Sequence, residues 1–145
     1  MMTVLVPIEE GRDAAAAIEH VVRLSRQERV RVHLLNVRTP LPSYVARFIA
    51  AAERQAFHHE NGMRAMQDAS ARLDAAGIAH RDHVRVGNKA ETILEFAREF
   101  HCSEIVLDGE ERGGGLLAGL GLGSIRAQLR HLLQPGDSFQ IREPA

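Results

Sequence analysis

Short apolar runs that alternate with stretches of helical period constrain this chain more than any other feature. Thr3 to Ile8 is an apolar run of strand length, and Pro7 near its end suits a strand terminus, where a missing ladder N–H is tolerated. From Asp13 the period changes: Ala14, Ala17, Ile18, Val21 and Val22 recur on one helical face, with Asp13 placed to cap it. Val30 to Val37 returns to a strand rich in Val and Leu. Two prolines make Thr39 to Ser43 a loop. Residues 44–76 carry a long alanine-rich helical pattern in which Asn61-Gly62 marks a break or kink, and Gly77 stops it. His80 to Val86 is a more polar strand, Gly87-Asn88 a turn, and Lys89 to Phe100 a helix with Ile93, Leu94, Ala97 and Phe100 inward. Glu104 to Leu107 is a buried strand. After a glycine-rich stretch come a helix from Ile125 to Leu133, a Pro135-Gly136 turn and a last strand from Ser138 to Arg142.

Strands that alternate with helices in this way predict an α/β fold, a single doubly wound domain over residues 1–145 with a five-stranded parallel sheet and helices on both faces. In such sheets ligands gather beyond the carboxyl ends of the strands. Two segments fall there: Pro7-Ile8-Glu9-Glu10-Gly11, and the stretch from Asp108 to Ser124, which holds seven of the twelve glycines.

With 18 basic against 19 acidic residues and a net charge of −1, there is no electrostatic basis for nucleic acid or an anionic membrane as partner. Cys102 is the only cysteine, which excludes an internal disulfide and suits a reducing compartment. The first residues lack a basic leader and no apolar run reaches membrane-spanning length, so the expected location is the cytoplasm.

Gly123-Ser124 opens a helix, and two readings of it stand side by side. The free N–H groups of Ile125, Arg126 and Ala127, with the helix dipole, would suit a phosphate; or Ser124 simply caps its own helix. A P-loop is excluded because no lysine precedes Ser124. Gly113-x-Gly115-x-x-Ala118 matches a dinucleotide fingerprint by letter, but it stands near the chain's end with one strand left. Adjacent His58 and His59 diverge on a helix, and His80 and His83 point to opposite faces of a strand, so the histidines read as solvated side chains and not as a metal site. Cys102 reads as a partly buried structural thiol. No nucleophile and base stand together, and nothing nominates a general base above Glu9; the chain is at most a slow ATP hydrolase.

The chain resembles the universal stress protein family along nearly its whole length. "TVLVPIEEG" looks like that family's first strand and its Val-Pro-Val-Asp-Gly turn, and "VHLLNV" like its second strand. "VRVGNKAETILEFAREFHCSEIVLDG" resembles its Gly-x-Pro-x-x-x-Ile-x-x-x-Ala segment running into Leu-Ile-Val-Met-Gly, and "GLGLGSIRAQLRHLLQPGDSFQI" its closing helix and strand. The resemblance implies strand order 3-2-1-4-5, a homodimer through the last strand (Ser138 to Arg142), and in one branch ATP or AMP held by Gly-x-x-Gly, nine residues, then Gly-Ser. Gly113, nine residues and Gly123-Ser124 match the second half; the first half departs, with Glu110 at the expected glycine and Gly109 one place early. Glu9 stands where the binding branch has aspartate. Carried over, adenine would lie against Ile8 and Val37, beside Pro7, with ribose near Glu9 and phosphates on Gly109, Gly113, Gly123 and Ser124, next to Asp108 and Ile125. Glu9, Glu10, Asp108, Glu110 and Glu111 would share that crevice with Arg112 and Arg126, so a triphosphate would need Mg²⁺ to bridge the negative charges. The alternative is the nucleotide-free branch, a dimer that acts through protein contacts.

Overall fold

The computed structural model describes residues 1–108 and 124–144. Strands β1 (Met2–Pro7), β2 (Val30–Arg38), β3 (His80–Val86), β4 (Glu104–Val106) and β5 (Gln140–Arg142) form one parallel sheet in the order β3-β2-β1-β4-β5. This is the predicted doubly wound order, with β1 and β4 adjacent at its centre. Alternate residues of β1 and β2 enter different cores. Val4, Val6, Val32 and Leu34 pack with Ile18 and Val21 of α1 (Ala15–Gln27) and Met66, Ala69 and Leu73 of α3 (Ala51–Ala75). On the other face Leu5, Leu35 and Ile105 meet Ile93, Leu94 and Phe96 of α4 (Lys89–Glu99) and Leu129 of α5 (Ile125–Leu132). Two dry faces explain why the central strands read as continuous apolar runs.

Several boundaries differ from the sequence reading for local reasons. β1 ends at Pro7, yet Ile8 stays buried and its N–H donates to Leu35 O at 2.8 Å. Ala14, not Asp13, is the N-cap of α1; Asp13 Oδ1 accepts the Ala15 N–H at 2.9 Å from one residue further out. β4 and β5 are each shorter than predicted, and β5 begins at Gln140 instead of Ser138. Beyond β4, the Leu107 N–H still donates to Arg142 O at 2.8 Å.

The predicted long helix is broken, but not at Gly62. A short α2 (Ser43–Ala46) precedes α3, and the turn between them is held by Arg54 Nη1, which donates to Ala46 O at 2.7 Å and to Ile49 O. Gly62 lies inside α3 because the helix crosses β3 there: a Cβ on Gly62 would stand 2.5 Å from Val84 Cγ2. The glycine marks a close approach and not a kink.

The histidines also need correction. His33 and His58 are buried, and His33 Nδ1 lies 3.0 Å from His83 Nε2 across β2 and β3. His80 is bracketed by Asp82 at 2.8 Å and Asp74 at 2.7 Å, and His20 pairs with buried Glu104 at 3.0 Å. Packing against two sheet faces, invisible in a run of letters, draws these rings out of solvent. Cys102 is fully inside the α4 core, where burial pushes its thiol up to about 11, so it is inert.

Gly62→Ala should be destabilising even though alanine favours a helix by about 1 kcal/mol. Val84 is stiff and its Cβ is also near, so overpacking of roughly 1–3 kcal/mol exceeds that gain. Urea unfolding of the two proteins measures the difference, and an unchanged or raised midpoint would contradict the close-packing account.

Candidate functional site

The chain leaves β1 through Glu9 and turns at Gly11, whose φ of 77° is a conformation that favours glycine. The turn aims Arg12 back across the carboxyl ends of β1 and β4. Its Nη1 donates to Glu9 Oε2 at 2.9 Å, and its Nε lies 3.2 Å from Asp108 Oδ2. From the start of α4, Lys89 Nζ makes an ion pair with the other oxygen of Glu9. Four alternating charges, Lys89, Glu9, Arg12 and Asp108, therefore line the crevice between the two central strands.

Lys89 is out of place by local rules. A cation in the first turn of a helix opposes the dipole, and the family pattern has proline there. The cap itself is ordinary, with Asn88 Oδ1 accepting the Glu91 N–H at 3.1 Å. Burial lowers the Lys89 ammonium, against a raising pull from Asp108. Burial raises the Asp108 carboxyl, opposed by Arg12 and Lys89 and reinforced by Glu143. For both groups loss of water outweighs the attraction between them, so each is pushed toward its neutral form.

Around this group Glu10 is exposed and paired with Arg38 at 3.2 Å. Asn36 is buried; its Nδ2 donates to Ile8 O at 2.8 Å, while its Oδ1 and the Nε of Arg38 are buried without a hydrogen-bond partner among the described residues. Ile8 belongs to the α1–α3 core and Val37 packs against the α4 core, so the two lie in opposite layers. Ser124 caps α5, its Oγ accepting the Ala127 N–H at 3.3 Å, and Ile125 packs against the α4 core. Arg126 is engaged by Glu143 at 3.0 Å. Gly109, Glu110, Glu111, Arg112, Gly113 and Gly123 lie outside the described residues.

The structure brings Glu9 and Asp108 together through a shared Arg12, with Lys89 also on Glu9; of the other charges expected in the crevice, Glu110, Glu111 and Arg112 lie outside the described residues. Arg12, Lys89, Asn36 and Glu143 were missed. The available signals were an arginine directly after the turn glycine and a lysine at a helix position that ordinarily takes proline.

The model of the universal stress protein family matches residues 1–132. Among solved structures, hypothetical protein MJ0577 aligns with a TM-score of 0.72 at 20 % identity, over 99 % of this chain and 96 % of that one. The universal stress protein from Archaeoglobus fulgidus in complex with dAMP aligns at 0.64 and 15 % identity, over 100 % and 98 %. A universal stress protein family protein from Arabidopsis thaliana with AMP bound aligns at 0.62 and 14 % identity, over 100 % and 94 %. No curated protein matches. Among the described residues no helix is long and apolar enough to cross a membrane.

Ser124→Ala removes the side-chain cap of α5 and should cost about 1 kcal/mol in the ligand-free protein. Thermal unfolding without nucleotide reads this directly; an unchanged midpoint would show that the cap contributes nothing and that Ser124 serves only a ligand.

Proposed function

Because the chain belongs to the universal stress protein family, we propose that it is an adenine-nucleotide-binding module of the stress response, cytoplasmic and homodimeric, with its ligand at the carboxyl edge of β1 and β4. The observation that carries this reading is the group Glu9, Arg12, Lys89 and Asp108 at that edge. Arg12 and Lys89 supply cations for phosphate, and their present counter-ions are carboxylates of the chain itself, which a phosphate can replace group for group. Glu9, once released, faces the ribose hydroxyls. Ser124 and the N–H groups of α5 complete the phosphate end with Gly109, Gly113 and Gly123, while Pro7, Ile8 and Val37 bound the base. Asn36 Oδ1, an acceptor without a partner, suits a base that carries an amino group.

Two cations already at the site mean that AMP needs no metal. ATP, with more charge than Arg12 and Lys89 can offset, enters with Mg²⁺. The role we propose is binding, with at most slow hydrolysis of ATP. The second reading, a nucleotide-free dimer working through protein contacts, draws on the same charges: Glu9 and Asp108 neutralise Arg12 and Lys89 with no ligand at all.

Calorimetric titration with AMP and ATP, each with and without Mg²⁺, separates the readings. Saturable one-to-one AMP binding without metal is expected, weakened about tenfold by Lys89→Met through loss of one charge-assisted contact. No heat in any of the four titrations would sink the nucleotide reading and leave the nucleotide-free one. Pairing is a separate matter. β5 is an edge strand with Ile141 half-buried between exposed Gln140 and Arg142. A sedimenting dimer at micromolar concentration is expected; a monomer there overturns the pairing.

A further inference from the structure

One face of β2 and β3 carries a second group of basic side chains, running from Arg31 and Arg81 at the amino end, opposite the crevice, to Arg85 near the carboxyl end. Arg31 and His33 on β2 and Arg81, His83 and Arg85 on β3 share one face, since residues two apart point the same way and His33 is in register with Arg81. His33 and His83 both lie against Phe96 and Phe100, which identifies this face as the one α4 covers. Phe96 and Phe100 of the α4 segment cover His83 and Arg85, but past Phe100, at the amino end, Arg31 and Arg81 are exposed and the face is open. There a groove of about 400 Å³ is lined by Arg31, His33, Arg81, Phe100, Thr3 and His80.

The charges in this groove are unevenly matched. Arg85 is paired with Glu99 at 2.9 Å, and the carboxylates of Asp74 and Asp82 are turned to His80. Arg31 and Arg81 are exposed, and neither has an acidic partner among the described residues. His33 is only 4 % exposed but lines the groove, and its Nε2 makes no hydrogen bond among the described residues. Its Nδ1 is taken by His83 Nε2 at 3.0 Å. With His83 as donor in that bond, the neutral ring of His33 carries its proton on Nε2 and offers it to the groove. Burial first, then His83, Arg31 and Arg81, push the imidazolium of His33 down to about 4, so this ring is neutral at pH 7.

We propose that this groove binds a phosphate monoester. The guanidinium groups of Arg31 and Arg81 hold the oxygens of the dianion, two charges against two, and match them as planar forks. His33 Nε2–H donates to a third oxygen, and the organic group of the ester lies on Phe100. The site is separate from the nucleotide crevice by the length of β1, roughly 20 Å for a strand of this size, and does not depend on the nucleotide reading.

The test is a titration of the folded chain with phenyl phosphate and with inorganic phosphate, followed by NMR through the ring C–H signals of His33 and His83. These signals distinguish the groove from any phosphate binding in the crevice. Saturable shifts are expected, with phenyl phosphate the tighter of the two. Arg31→Gln and Arg81→Gln should each weaken binding about tenfold, the loss of one charge-assisted pair. Both are exposed and spare the fold, which the remaining signals verify. Unmoved His33 and His83 signals at millimolar phenyl phosphate, or equal affinity in parent and variants, overturn the site. Equal affinity for the two probes overturns the ester.

Discussion

β1 runs through the middle of the sheet with Val4, Leu5 and Val6 fully buried between two helical layers, and that placement decides where charge can sit in this molecule. A buried, unpaired ion on either face of β1 would cost several kcal/mol. Polar side chains are therefore expelled to the strand ends, and a parallel sheet makes those ends unlike. Helices α4 and α5 begin at the carboxyl end, with free N–H groups and positive dipole ends. At the amino end the strands begin and the connections are short. Both ligand sites argued above follow from this polarity of the sheet.

At the carboxyl end the described charges Glu9, Asp108, Arg12 and Lys89 compensate one another. Arg12 serves Glu9 and Asp108 together, and Lys89 serves Glu9 from the other side, so removing Glu9 takes the ion-pair partner from a lysine that is partly out of water, whereas removing Asp108 leaves Arg12 on Glu9. Such a cluster is a poor source of stability, because its Coulomb gain is set against desolvation. It is a good place for exchange. A phosphate that displaces a carboxylate swaps one desolvated ion pair for another, and affinity is then decided by what the rest of the ligand touches. This explains why a lysine can stand in the first turn of α4, against the dipole: its partners are across the crevice, not in its own helix.

How much of this was legible in the sequence depended on whether the deciding force was local. Strand and helix alternation, the Ser124 cap and the register of apolar faces are set by period and propensity, and these were readable from Thr3-Val-Leu-Val or Ile93-Leu94 alone. Strand order came from the family resemblance, since periodicity cannot say which strand lies beside which. The failures share a cause. Gly62 looked like a helix breaker and is a contact with Val84 on a strand 22 residues away, as the numbers of the two residues show. His33, His58 and His83 looked solvated because burial beneath a helix is a tertiary property. Glu9 and Asp108 were correctly placed together, but their repulsion was overstated because Arg12 and Lys89 look like ordinary surface cations until Gly11 and Asn88 turn them inward.

The two outer strands complete the physical picture. An edge strand exposes unpaired N–H and C=O groups and invites another chain, and charged side chains are one way of discouraging this. β3 has them on both faces, Arg81 and Arg85 on one and Asp82 on the other, with His80 tied between Asp74 and Asp82. A partner strand laid beside β3 would have to desolvate these groups. β5 has less defence: Gln140, Ile141 and Arg142 include one cation, and Arg142 leans back toward buried Glu104 at 3.5 Å. Among the described residues the sheet thus has one edge well guarded by charge and one less guarded. Arg81 belongs both to the charges that guard β3 and, with Arg31 of β2, to the groove proposed for a phosphate monoester, so one side chain serves the defence of that edge and its capacity to bind an anion.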